Sequence, residues 1–310
     1  SMIVPKKDLT RANGIAQTAQ AIQSILTPLM AGGLFVTIGM RGIILIDFIT
    51  YFFAVFALLV VRIPQPEITA EKKTEKGQVK QDLVFGWNYL RARQGLFGLL
   101  FYFAMVNFTL NFAGVLTGPL VLSAHPPSAY GLVQTMLGAG LLSGGLLISA
   151  WGGPQTRRVP ALIGCIAAAS FGLLIVGVNQ HLAFPAAGFF LMMLFIPIAS
   201  SLSQAVFQTK VAPEVQGRVF AVRGLIARSM MPIAYILSGL LADHIFEPMM
   251  QVGGTLGGTL LGTLVGVGDG RGIGLMFVLA GLMGMGVSLL VYLNPRIRKL
   301  EVEIPDALRG

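Results

Sequence analysis

Eight stretches of this chain are almost free of charge and long enough to cross a bilayer, at about 14–38, 42–61, 97–122, 130–151, 159–178, 184–206, 222–242 and 272–293. A helix needs roughly 20 apolar residues to span the hydrocarbon. No water is available there to satisfy backbone N–H and C=O groups, so a segment of this length must be helical. The sequence therefore predicts an all-α membrane protein. Of the 310 residues, 55% are hydrophobic and 11% charged, where a soluble domain carries about 25% charged residues. The 39 glycines suit membrane helices, in which small residues let backbones approach closely. The single cysteine, Cys165, allows no intrachain disulfide.

The net charge of +9 is distributed unevenly, and the unevenness decides its meaning. Threading the eight spans places 20 of the 22 basic residues on one side: Lys6, Lys7, Arg11, everything from Arg62 to Arg93, Arg157, Arg158, Lys210, Arg218, Arg223, Arg228 and the tail from Arg296 to Arg309. Only Arg41 and Arg271 fall on the other. Cytoplasmic loops hold the positive charge, so both termini are expected in the cytoplasm. The charge reports topology rather than a nucleic-acid partner. The Gly- and Thr-rich segment 253–268 is too short for a ninth span and reads as an outer loop or re-entrant piece. Its end, GVGDGRG, looks superficially like a phosphate loop, but no strand precedes it.

Four regions are expected: 1–61 with two spans, a linker at 62–95 ending in a helix on the membrane surface, 96–293 with six spans, and a tail at 294–310. In the linker, Leu83, Trp87 and Leu90 recur at helical spacing, with Arg91 and Arg93 beside them, as in an interfacial helix.

A long internal repeat is visible. VPKKDLTRANG (4–14) and VAPEVQGRVFA (211–221) each lead from a polar loop into a long apolar helix. Aligning Arg11 with Arg218 brings Gly32 onto Gly239 and leaves Pro28 and Pro232 a turn apart. Such periods mark duplicated halves of transporters. Four spans precede the second copy, so four more are expected before the first, upstream of Ser1. That would make twelve spans, eight of them here.

On VPKKDLTRANG, QTKVAPEVQGRVFAVRG, PIAYILSGLLADHIFEP, GDGRGIGL and the tail NPRIRKLEVEIPDA, the chain resembles the major facilitator superfamily, in its branch of macrolide-efflux and enterobactin-export proteins. The resemblance covers nearly the whole chain. It implies the major facilitator fold and secondary transport in a bacterial plasma membrane, with hydrophobic or amphipathic compounds such as drugs or siderophores expelled in exchange for protons. It implies a small-molecule substrate and no cofactor. The family's acidic loop signature would correspond to GGPQTRRV, which keeps Gly153, Arg157 and Arg158 but has no acid. Arg11, Arg157, Arg158, Arg218 and Arg223 are the candidates for cytoplasmic gating loops.

Polar residues inside spans are costly unless they meet water, substrate or a partner. Asn13, Gln17, Gln20, Ser24 and Thr27 follow one helix face; it faces either a central cavity or a neighbouring helix. Asn107 and Asn111 lie four apart on one span, and Ser200, Gln204 and Gln208 on another. The cavity candidates are Gln17, Gln20, Asn107, Asn111, Ser200, Gln204 and Gln208. Asp47, the one carboxylate well inside a span, is the proton-coupling candidate, because a buried acid gains a raised pKa; the alternative is a partner of Arg41. Arg228 reads as a cation reaching toward the headgroups. His125, His181 and His244 fall at the outer face, as polar anchors or as a proton sensor. An intramembrane enzyme is disfavoured: no acid pair, metal cluster or nucleophile–base pair stands within a span. The competing reading is a truncated or regulatory membrane protein, since a chain with part of its cavity wall is not expected to transport alone.

Overall fold

The computed structural model describes residues 5–60 and 78–307. Each described part is helical or turn. Six helices are long and apolar enough to cross a membrane. After a 3-10 turn at Lys6–Asp8 come α1 (Leu9–Val60), α2 (Gln78–Arg91), α3 (Gln94–Leu122), α4 (Pro127–Trp151), α5 (Arg158–Val178), α6 (Ala183–Lys210) and α7 (Pro213–Leu241). A π-helical turn, Ala242–Phe246, continues α7 into α8 (Glu247–Met250). Then follow α9 (Leu260–Val265), α10 (Arg271–Leu293), α11 (Pro295–Arg298) and α12 (Leu300–Glu303).

The expected boundary between the first two spans is one residue wide. Helix α1 runs through it, broken only at Gly39, whose φ of 64° and ψ of −178° lie outside the helical region. The described residues fall into two compact units, one within Ser1–Ala21 and Lys80–Gly310, the other within Ile22–Val79. The first turns of α1 thus group with the C-terminal helices, where the sequence places the whole of 1–61 in one region. In the smaller unit, the α1 surface from Ile44 to Phe56 is apolar and exposed; Phe53 is 74% accessible. Such a surface suits lipid or further apolar partners. The greater part of the linker, 61–77, lies outside the described residues.

In the larger unit, glycines set how closely the helices cross. A Cβ on Gly144 of α4 would stand 2.1 Å from the Leu194 carbonyl of α6, and one on Gly177 of α5 would stand 2.1 Å from the Gly274 carbonyl of α10. Helices pack in this way where lipid gives no hydrophobic drive and van der Waals contact must hold them. Two apolar clusters fill the bundle. One gathers Leu96, Leu162, Phe207, Ile297 and Leu300; the other gathers Phe112, Leu116, Phe189 and Phe277. A buried polar pair joins α3 to α10, Tyr102 Oη to Ser288 Oγ at 2.6 Å.

The expected interfacial helix is α2. It buries Leu90 and stacks Trp87 edge-on against Phe97 and Phe101. Asp82 pairs with Arg218 of α7 at 2.8 Å. The tail is docked. The amine of Lys210, at the end of α6, donates to the carbonyls of Glu301 and Ile304 and pairs with Asp306 at 3.1 Å. The Ala307 N–H donates to the Thr209 carbonyl, and Glu301 Oε2 accepts from the Val159 N–H at the start of α5. Ile297 and Leu300 are buried beneath.

At the opposite end, Glu247 accepts the N–H groups of Gly270 and Ile273, capping α10. Arg271 is 1% exposed and donates to the Gly177 carbonyl. The segment 253–268 forms turns around the six-residue α9, with no spanning helix. His125 Nε2 lies 2.8 Å from the Gln180 carbonyl, and His181 Nδ1 accepts from the Ala183 N–H. Both histidines therefore tie turns together.

Candidate functional site

A cavity of about 470 Å³ lies in the larger unit, walled by α1, α3, α6 and α7. The first helix presents Asn13, Ala16 and Gln17. Leu100, Phe103, Ala104 and Asn107 come from α3, and Ser200 and Gln204 from α6. Phe220, Arg223, Gly224 and Ala227 come from α7. Helical spacing explains the selection. Asn13 and Gln17 are four apart, as are Ser200 and Gln204, and residues at that spacing share a face. Pockets that hold small organic ligands measure about 300–1,000 Å³ and set a few polar groups in an apolar lining; this one has that size and character.

The polar groups are held at defined positions. Asn107 Nδ2 donates to the Phe103 carbonyl one turn back, at 2.8 Å. Its Oδ1 makes no bond among the described residues. Asn13 Nδ2 donates to Gln208 Oε1 at 2.9 Å, tying α1 to α6. Arg223 donates through Nη1 to Gln204 Oε1 at 3.0 Å and through Nη2 to Ser203 Oγ at 2.8 Å. Its guanidinium also lies against the rings of Phe207 and Phe103, 4.6 and 5.2 Å from their centroids.

Of the seven cavity candidates, Gln17, Asn107, Ser200 and Gln204 meet at this cavity. Gln208 stands behind it as the partner of Asn13. Asn111 does not line it; its amide donates to the Asn107 carbonyl. Gln20 is exposed and does not line it. Ser24 is exposed, and the side chain of Thr27 lies outside the described residues. Asp47 is exposed on α1 in the smaller unit, with no ion pair to Arg41 among the described residues.

The gating candidates separate into two groups. Arg11 Nε donates to the Ser149 carbonyl at the end of α4, and Gln155 reaches the Lys7 carbonyl. Between them Gly152, Gly153 and Arg157 take left-handed φ values of 79°, 71° and 59°. Arg157 is the one non-glycine residue with positive φ among those described. Arg158 is buried and reaches the Pro154 carbonyl. The loop itself is 152–157; Arg11 lies in the first turn of α1 and Arg158 opens α5. Arg218 and Arg223 are also helical, since α7 begins at Pro213, and Arg223 lies about 15 Å along the helix at 1.5 Å per residue. The signal for this was in the sequence, a Pro at the first helical position followed by Glu214. Arg228, one turn further, is exposed and does not line the cavity.

A bundle of apolar helices crossing through glycines, around a polar cavity with no acid in its lining, is the build of an integral membrane protein. The comparisons with known proteins give the family: the Major Facilitator Superfamily matches residues 1–235, and the chain belongs to it. Macrolide efflux protein A of Streptococcus pyogenes is 30% identical over 254 residues, 79% of this chain and 60% of that protein. Macrolide efflux protein A of Enterococcus faecalis is 29% identical over 242 residues, 75% of this chain and 72% of that protein. The chain thus spans about 60% of the length of the Streptococcus relative. No solved structure matches it at a significant level.

Proposed function

We propose that the protein carrying this chain is a drug-efflux transporter of the bacterial plasma membrane. It exports hydrophobic or amphipathic small molecules in exchange for protons, by rocking between inward- and outward-open states. Both ends of this chain lie in the cytoplasm, a reading that the one-sided basic charge supports. The observation that carries this reading is the cavity of about 470 Å³ with its converging amides. The family and the efflux relatives support the class of substrate. Arg11, Arg157, Arg158 and Arg218 work at the cytoplasmic gate, and Asp47 carries the proton.

The test is transport in everted vesicles containing the protein that carries this chain, with dansylglycine and dansylamide as probes. Acidification of the lumen should drive accumulation of both, and a protonophore should abolish it. Asp47→Asn should leave accumulation indifferent to the proton gradient. Accumulation that ignores the protonophore in the unaltered protein would remove proton coupling from the account. No accumulation of any amphipathic probe would remove export.

A further inference from the structure

The cavity lining includes one cation, Arg223, which has no acidic partner among the described residues. Arg223 reaches Gln204 and Ser203, both neutral, and the faces of Phe103 and Phe207. Three of its five N–H donors make no bond among the described residues, and the side chain lines the cavity. No lining residue is acidic. A guanidinium stays charged in a protein, and a charge kept from bulk water is costly until it is paired. Gln204 and Ser203 orient it, and no acid among the described residues offsets its charge.

We infer that Arg223 is the recognition point for an anionic group, and that the cavity takes amphipathic acids: an apolar body bearing a carboxylate or another oxyanion. This rests on the reading of the cavity as a substrate site and names the substrate class for it. The planar fork of Arg223 matches a carboxylate through two parallel N–H···O bonds. Positive potential in a low-dielectric cleft concentrates anions and repels cations. Phe103 and Phe220 supply apolar wall for the body of the ligand, and the free Oδ1 of Asn107 a second polar contact. Neither an anion-selective nor a cation-selective pattern is legible in the remaining lining, so this one side chain sets the sign.

Three fluorescent probes sharing one ring system test the inference: dansylglycine (anion), dansylamide (neutral) and dansylcadaverine (cation). Each is titrated against the purified protein in detergent. Gly224→Phe locates the signal. Gly224 lines the cavity, and a Cβ there meets nothing within 4 Å, so the ring enters the cavity without displacing the helix. The expected result is that dansylglycine binds at least tenfold more tightly than dansylcadaverine, and that Gly224→Phe abolishes binding of all three. Arg223→Gln should bring the probes to within about threefold of one another. Arg223→Lys should keep part of the preference, since it retains the charge and loses the fork. Should Arg223→Gln not fold, the wild-type ranking and Arg223→Lys still decide. If the three probes bind equally, or the cation binds best, in a manner that Gly224→Phe abolishes, the anionic class is overturned while the cavity stands as a binding site. Binding that Gly224→Phe leaves untouched, or no binding at all, overturns both.

Discussion

At the scale of single residues, this chain spends its glycines in two different ways. Gly144 and Gly177 stand where another helix's carbonyl would meet any Cβ at 2.1 Å, whereas Gly164 and Gly224 face open space. Gly144→Ala should therefore destabilise the protein by about 1–3 kcal/mol, the usual cost of overpacking. Gly224→Ala should change little. Thermal unfolding in detergent, followed by circular dichroism, checks the pair; equal midpoints would mean the α4–α6 crossing is looser than described. Tyr102 and Ser288 make a smaller contribution. Interhelical hydrogen bonds in membranes average about 0.6 kcal/mol, so a double-mutant cycle of Tyr102→Phe and Ser288→Ala should return a coupling near that value. Residue identity told which polar side chains could meet: Asn107, Gln17, Ser200 and Gln204 were legible from four-residue spacing. Gln20 and Asn111 carry the same signature and lie elsewhere, because spacing fixes a face of one helix but not which neighbour that face meets.

Helices and their ends carry the next level. Most spans were readable from apolar length, since nothing but a helix satisfies its backbone in lipid. The boundaries were less so. Apolar content marks where lipid begins, not where the helix does, and α7 starts at Pro213, nine residues before its apolar run. That shift moves Arg223 from a loop to a cavity wall. The tail was also hidden. Its polar composition reads as solvated, yet Lys210 gathers two carbonyls and Asp306 from it. Lys210→Ala should leave those half-buried carbonyls without this donor, at about 1 kcal/mol. The tail should then be clipped by trypsin at Arg296, Arg298 and Lys299 several-fold faster than in the unaltered protein. Unchanged clipping would show that Ile297 and Leu300 alone hold it.

For the molecule as a whole, the sequence made the class plain and the site only partly so. Apolar runs, one-sided charge and the 207-residue repeat lead to a two-half membrane protein; the motifs resemble the Major Facilitator Superfamily, to which the chain belongs. The cavity is a property of four helices together, assembled from residues more than 200 positions apart, and no local pattern announces it. The proposed function places the exported molecule in this space. The most direct test compares export by two variants in everted vesicles driven by a proton gradient. Gly224→Phe puts a ring into the cavity. Gly164→Phe puts the same ring on the exposed side of α5, where a Cβ also meets nothing within 4 Å. With equal amounts of folded protein, Gly224→Phe should lower the dansylamide export rate at least tenfold, and Gly164→Phe should leave it within about twofold of the unaltered protein. Export by Gly224→Phe at the unaltered rate would contradict the account.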